Sequence, residues 1–141
     1  MAIIARALID TSASARAHLP EVLAVLDPVI RDGLAATCSI LDAEALHSAR
    51  NRDDYERIWA RRRRAYEYLP TEDRHHRAAL DAQRRLSRTG RHRSVGFADL
   101  VLSVLAAEHG LTVLHYDADF EIAAEVIPFS HQWAAPRGSV P

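Results

Sequence analysis

Ile3-Ile4-Ala5-Arg6-Ala7-Leu8-Ile9-Asp10-Thr11-Ser12 is the stretch on which the reading of this chain turns. Residues Ile3 to Ile9 form a short, mostly apolar run, of the kind that makes a buried strand. Asp10-Thr11-Ser12 then supplies side-chain oxygens that cap a helix N-terminus. A strand running straight into a capped helix is the opening of an α/β unit, and the same alternation recurs along the chain. Pro20 sits at a favoured first-turn position, followed by Val22, Val25, Leu26, Val29 and Ile30 at helical spacing up to Gly33. Leu34 to Thr37 reads as a second strand, and Ile40, Leu41, Glu44, Ala45 and Ala49 as the next helix.

The middle of the chain predicts long helices. One runs from Asp53 to Leu69, where Pro70 stops it, and another from Thr71-Glu72-Asp73 to about Arg88. A polar loop over Thr89 to Gly96 leads into an amphipathic helix from Phe97 to His109, closed by Gly110. Leu111 to His115 is a strand, Asp119 to Ala124 a short helix and Val126 to Phe129 a last strand, with Pro136 to Pro141 as a loose tail. Strands alternating with helices predict a single α/β domain over 1–141, an α/β/α sandwich around a mainly parallel sheet. Functional groups in such sheets gather at the carboxyl ends of the strands, where Asp10 and Asp117 fall.

Composition narrows the function classes. The chain has 141 residues, 48% hydrophobic, enough for one sizeable core. All 18 basic residues are arginine, so a P-loop nucleotide site and a receiver-type phosphorylation site, which both use lysine, are excluded. The single Cys38 excludes an internal disulfide and a cysteine-based zinc site. Met1 to Arg6 is too short for a secretory signal, and no apolar run approaches a membrane span, so the expectation is a cytoplasmic protein without membrane attachment. Net charge is −1, but from Arg50 to Arg93 the chain holds 14 arginines against 7 acids, a balance of +7. The remainder holds 4 arginines against 12 acids, a balance of −8. An acidic pocket beside an anion-binding surface fits this division, as does a set of solvated helix faces.

The acids have ordinary explanations taken singly. Asp10 and Asp117 suit helix caps, and Asp99 complements the dipole of its helix. Glu44 shares a helical face with Leu41, Ala45 and Ser48, where a carboxylate needs a partner, whereas Asp42 on the neighbouring face reads as solvated. If the fold gathers Asp10, Glu44, Asp99 and Asp117, a divalent metal ion held by oxygens is the expected counter-charge.

Leu8-Ile9-Asp10-Thr11-Ser12-Ala13, Glu44, Ala98-Asp99-Leu100 and Asp117-Ala118-Asp119-Phe120 together resemble a PIN domain, and more narrowly the VapC toxins of bacterial toxin–antitoxin pairs, especially those of actinobacteria. The resemblance runs from the first strand to Trp133. It implies a Mg²⁺- or Mn²⁺-dependent endoribonuclease, with Asp10, Glu44, Asp99 and Asp117 as metal-binding acids, Asp119 as an accessory acid and Ser12 as a hydroxyl lining the site. It also implies RNA as substrate, a VapB-type antitoxin that lies across the acidic pocket, a homodimer and a higher assembly formed through the antitoxin. Many family members carry threonine two residues before the Asp117 position; here it is His115, expected to pack. Arg91 and Arg93, in the loop before Asp99, are the candidate phosphate contacts, Arg93 first, with an ion pair to a nearby carboxylate as its alternative. Arg61 to Arg64 cannot all face one way on a helix, so at most two contact RNA at once. Trp59, Tyr66 and Phe97 sit at core spacing and are expected to pack rather than to stack on bases, and His75 and His76 are expected in solvent.

Two other classes remain open on the sequence. A non-catalytic PIN-like RNA- or protein-binding module is one, though the intact acid set argues against it. A haloacid-dehalogenase-type phosphatase is the other, but it needs an aspartate where Ser12 stands and a lysine the chain lacks.

Overall fold

A computed structural model describes residues 2–141. Five strands form one all-parallel sheet in the order β3-β2-β1-β4-β5. They are β1 (Ala7–Ile9), β2 (Ala35–Thr37), β3 (Glu67–Tyr68), β4 (Thr112–His115) and β5 (Ser130–Trp133). The helices are α1 (Thr11–Ser14), α2 (Pro20–Arg31), α3 (Ser39–His47), α4 (Arg52–Ala65), α5 (Asp73–Ser87), α6 (Phe97–His109) and α7 (Asp119–Ala123). Successive side chains of a strand point to opposite faces, and the core divides accordingly. Leu8, Ala36 and Val113 meet Leu41, Leu102, Leu105 and Phe120 on one face. Ala7, Ile9, Ala35 and Leu114 meet Val22 and Leu26 of α2 on the other. A third cluster, with Ala79, Ala82, Leu86, Leu100 and Val101, seals α5 against α6. The expected α/β/α sandwich is the observed architecture. No helix among the described residues is long and apolar enough to cross a membrane.

Several boundaries differ from the sequence expectation, each for a physical reason. The first strand begins at Ala7 rather than Ile3, because Ile4 is exposed and the Ile4 and Ala5 amides bond instead to the Glu67 carboxylate at 3.0 and 2.9 Å. Helix α4 ends at Ala65, not Leu69. The residue before proline is disfavoured in helix, and Glu67-Tyr68 ahead of Pro70 joins the sheet edge, paired in parallel with Ala36 and Thr37. The last strand is Ser130–Trp133 rather than Val126–Phe129, where Pro128 interrupts and the Val126 and Ile127 amides turn back to the Ala123 carbonyl. The tail is docked rather than loose. Tyr116 Oη donates to the Val140 carbonyl at 3.0 Å, and Arg16 Nε donates to the Pro141 carbonyl oxygen at 2.7 Å.

Expected burial also changes at individual residues. Asp42, expected in solvent, is 7% exposed, while Glu44 on the same helix is exposed. Asp42 Oδ1 accepts from Arg62 Nε at 2.8 Å and from the Thr37 hydroxyl at 2.9 Å, Arg62 Nη2 donates to the Thr37 hydroxyl at 3.0 Å, and Arg63 binds the other Asp42 oxygen. One buried carboxylate thus clamps β2, α3 and α4 together. His75 is buried, not solvated: its Nδ1 accepts from the Glu72 amide at 2.9 Å, and Nε2 contacts Glu108 at 2.7 Å. Trp59 and Phe97 are partly exposed rather than in the core, while Tyr66 packs as expected.

Removing one partner of a buried pair strands the other charge, at a cost of about 3–5 kcal/mol. Asp42→Ala, which leaves the buried Arg62 guanidinium without its carboxylate, is therefore expected to lower the urea midpoint strongly, whereas Arg77→Ala, at the exposed Asp73 pair, leaves it nearly unchanged. Equilibrium unfolding of the two variants side by side measures the difference.

Candidate metal and catalytic site

Because all strands are parallel, their carboxyl ends share one edge of the sheet, and the acids collect there. Asp10 follows β1 directly and caps α1: the Ser12 amide and hydroxyl donate to Asp10 Oδ2 at 3.0 and 2.5 Å. The same Ser12 oxygen accepts from the Tyr116 amide at 2.9 Å, tying the end of β1 to the end of β4. Asp117 lies two residues past β4, and its Oδ1 accepts from the Asp119 amide at 2.9 Å. Asp99 stands in the first turn of α6, whose N-terminus faces the same edge. Glu44 comes from α3 and accepts the Thr11 hydroxyl at 2.7 Å.

The carboxylate oxygens of Asp99, Asp117 and Asp119 come within 4.8 Å of one another. Asp10 and Glu44 lie close enough to act on Asp99 electrostatically. None of the five acids is in an ion pair among the described residues. Burial, reinforced by the negative charges of Asp10, Asp117, Asp119 and Glu44, pushes Asp99 up to about 7. Burial likewise raises Asp10, against the lowering effect of its Ser12 hydrogen bonds, and raises Asp119, with Asp117 adding to the shift. The four acids expected from the sequence are thus brought together, and Asp119, expected as an accessory, belongs to the tightest trio.

His115 is buried at the root of the Asp117 turn, packed on Phe120 and Trp133 as expected. Burial and the neighbouring His131 pull it down to about 4, so the ring is neutral near pH 7. Its Nδ1 accepts the Asp117 amide at 3.1 Å, leaving Nε2 to donate to His131 Nδ1 at 2.9 Å. The two loop arginines part company: Arg91 pairs with Glu125, while Arg93 is exposed and in no ion pair among the described residues. Sequence reasoning missed Thr11 and Arg16 as supports. Arg16 donates to the Ser12 carbonyl at 2.7 Å and covers the Tyr116 ring, bracing the Asp10 turn, and no local pattern signals this.

A parallel α/β sheet whose carboxyl edge gathers five carboxylates, none of them in an ion pair among the described residues, presents an oxygen-only donor set of the class that suits a hard divalent ion. Residues 7–126 match the PIN domain, and the chain belongs to the PIN-domain family. It is similar to Ribonuclease VapC21 of Mycobacterium tuberculosis, at 41% identity over 95% of this chain and 97% of the relative. Ribonuclease VapC51 of the same species is 37% identical over 94% and 96%. Among solved structures, DNA-bound VapBC from Salmonella typhimurium superposes with a TM-score of 0.70 at 17% identity, covering 93% of this chain and 99% of that one. A VapBC family toxin–antitoxin structure from Mycobacterium tuberculosis, VapBC-5, gives 0.59 at 24% identity over 93% and 98%. At these identities the two structures speak for the fold.

Asp99 carries a stability signature. The unfolded chain releases this proton near 3.8, the metal-free folded protein only near 7. The folded state therefore binds the extra proton between these values, so stability falls as pH rises from about 4 to about 7 and the full penalty persists above. Asp99→Asn is expected to stabilise the metal-free protein at pH 8 by about 1–2 kcal/mol, after allowance for its partial exposure, and by nothing near pH 4. Thermal melts in chelator across that range test it.

Proposed function

We propose that this PIN-domain protein is the toxin of a toxin–antitoxin pair, an endoribonuclease that adds water across an RNA phosphodiester bond with Mg²⁺ or Mn²⁺ and acts in the cytoplasm. The observation that carries the reading is the set of converging, unpaired carboxylates in a chain similar over nearly its whole length to Ribonuclease VapC21. The donor set fits the cation: oxygens only, negative, and without a protein counter-ion. Asp10, Glu44, Asp99 and Asp117 would hold it, with Asp119 as the accessory acid. A bound divalent ion lowers the pKa of water and offsets the charge that grows on the phosphoryl oxygens.

The chain's own residues do the rest. Ser12 fixes the Asp10 rotamer, Thr11 holds Glu44 at the rim, and His115 fixes the Asp117 turn. Arg93 is free to meet a backbone phosphate. Arg91, engaged by Glu125, would reach RNA only by leaving that partner. A VapB-type antitoxin laid across the pocket, presenting an arginine to the carboxylates, would neutralise the site and compete with the metal. The toxin is read as a homodimer that assembles further through its antitoxin.

Purified, antitoxin-free protein is expected to cleave RNA with Mg²⁺ or Mn²⁺, to lose the activity in chelator, and to lose it in Asp10→Asn or Asp99→Asn. Cleavage unaffected by chelator sinks the metal mechanism; unaffected cleavage by both variants sinks the site. Expression alone should arrest growth and the antitoxin restore it, whereas indifferent growth with folded protein favours the binding-module reading. His115→Phe keeps the packing but deletes the acceptor for the Asp117 amide. It is expected to weaken Mn²⁺ binding about tenfold or more, and His115→Asn to recover part of that loss in a Mn²⁺ titration.

A further inference from the structure

Tyr55, Trp59 and Arg63 recur every four residues and so line one face of α4. That face overhangs Ser39, Ala43, Leu46 and His47 of α3, and Tyr68 at the end of β3 closes the far wall. The result is a groove of about 440 Å³ in which Tyr55, Trp59 and Tyr68 stay 41%, 47% and 45% exposed. Soluble surfaces do not normally gather large aromatics this way without a partner. The Arg63 guanidinium lies 5.4 Å from the Trp59 ring centroid and 4.9 Å from that of Tyr68, and Asp42 anchors it there. The platform is therefore held by the same clamp that holds α3.

Charge selects the occupant. Asp42 is the one carboxylate lining the groove, and Arg62 and Arg63 already neutralise it. Two guanidiniums against one carboxylate leave the platform positive, on a helix that itself carries six arginines against three acids. A second copy docked here would bring like charge against like charge, whereas a polyanion is attracted. Aromatic faces beside a guanidinium are what unpaired bases stack on. Position agrees as well: β3 lies two strands from β1, so Tyr68 and Asp10 sit roughly 10 Å apart along the same carboxyl edge of the sheet. A short run of single-stranded RNA spans that gap.

We infer that the α3–α4 groove is a base-stacking subsite, in which Trp59 and Tyr68 receive an unpaired base of the RNA a little way from the scissile phosphate and Arg63 holds the platform. This rests on the ribonuclease reading and adds a determinant of which RNA is cut.

The test uses the full chain with Trp59→Ala, Trp59→Phe and Tyr68→Ala, none of which touches the acid site. On a single-stranded RNA substrate, Trp59→Ala is expected to raise KM about tenfold or more, with kcat nearly unchanged and Trp59→Phe close to the parent. A second readout needs no cleavage: the part of the fluorescence lost in Trp59→Phe should be quenched by hexameric oligoadenylate and not by an abasic strand of equal length. Equal response to both strands, or to neither, overturns the inference, as does an unchanged KM in Trp59→Ala. Light scattering supplies a further arm. Conversion of Trp59→Ala from dimer to monomer with oligoadenylate binding intact assigns the groove to a second copy and also overturns it. Quenching by oligoadenylate in a parent protein that cleaves no RNA would retain the groove and reject the ribonuclease.

Discussion

Five carboxylates crowd the carboxyl edge of the sheet with no ion pair to balance them among the described residues, and much of the surrounding structure makes sense as support for that repulsion. Asp99 registers it most strongly, holding its proton to about 7 under the combined charge of Asp10, Asp117, Asp119 and Glu44. A fold tolerates such a cluster only if the elements that carry it are held by stronger interactions elsewhere. Here those are the parallel ladder of β1 between β2 and β4, the apolar clusters on both sheet faces, and the buried Asp42–Arg62–Thr37 clamp beside α3.

The arginines divide by what acids lie near them. Arg62 is consumed by Asp42, Arg74 by Glu72 and Glu108, Arg91 by Glu125 and Arg137 by Glu121. Arg16, the cation nearest the Asp10 turn, is spent on the Ser12 and Pro141 carbonyl oxygens and the Tyr116 ring. The positive segment is therefore partly structural cement, and the anion-binding share falls to exposed arginines in no ion pair among the described residues, such as Arg93 in the loop and Arg61 and Arg64 on α4, with Arg63 shared between Asp42 and its aromatic platform. Composition alone could not make this division, because it depends on which acid each helix face meets.

Elements with a strong local signal were legible. Apolar runs ending in Asp10 and His115, the proline-started α2 and the Gly110 stop of α6 follow from backbone preferences that act within a few residues. Asp10, Asp99 and Asp117 were legible because they sit at element ends, and Glu44 because it shares a helical face with apolar residues. What depended on distant partners was not. Glu67-Tyr68 and Ser130–Trp133 are edge strands with little apolar alternation, created by pairing with β2 and β4. Asp42 and Glu44 exchanged their expected burial because α3 is apolar on more than one side, and only the arrival of Arg62 from α4 decides which acid goes inside. His75 followed the same logic, drawn in by Glu108 of the facing helix.

The supports that touch the acids share one property. Ser12 and Thr11 offer hydroxyls, Ser12 and Asp119 offer amides, and His115 offers a neutral imidazole nitrogen to the Asp117 amide. A lysine or arginine in any of these places would pair with the carboxylates and occupy the position a metal ion needs, while another acid would add to the repulsion. Neutral hydrogen bonds fix geometry and leave the net charge of the cluster intact. The low basicity of His115 is part of this: a ring that gained a proton near pH 7 would become the counter-ion the site otherwise lacks, and burial against Phe120 and Trp133, with His131 at its other nitrogen, keeps it from doing so. Rigidity without neutralisation is thus the design rule of this edge of the sheet, and it accounts for a histidine serving as well as a smaller polar residue at the root of the Asp117 turn.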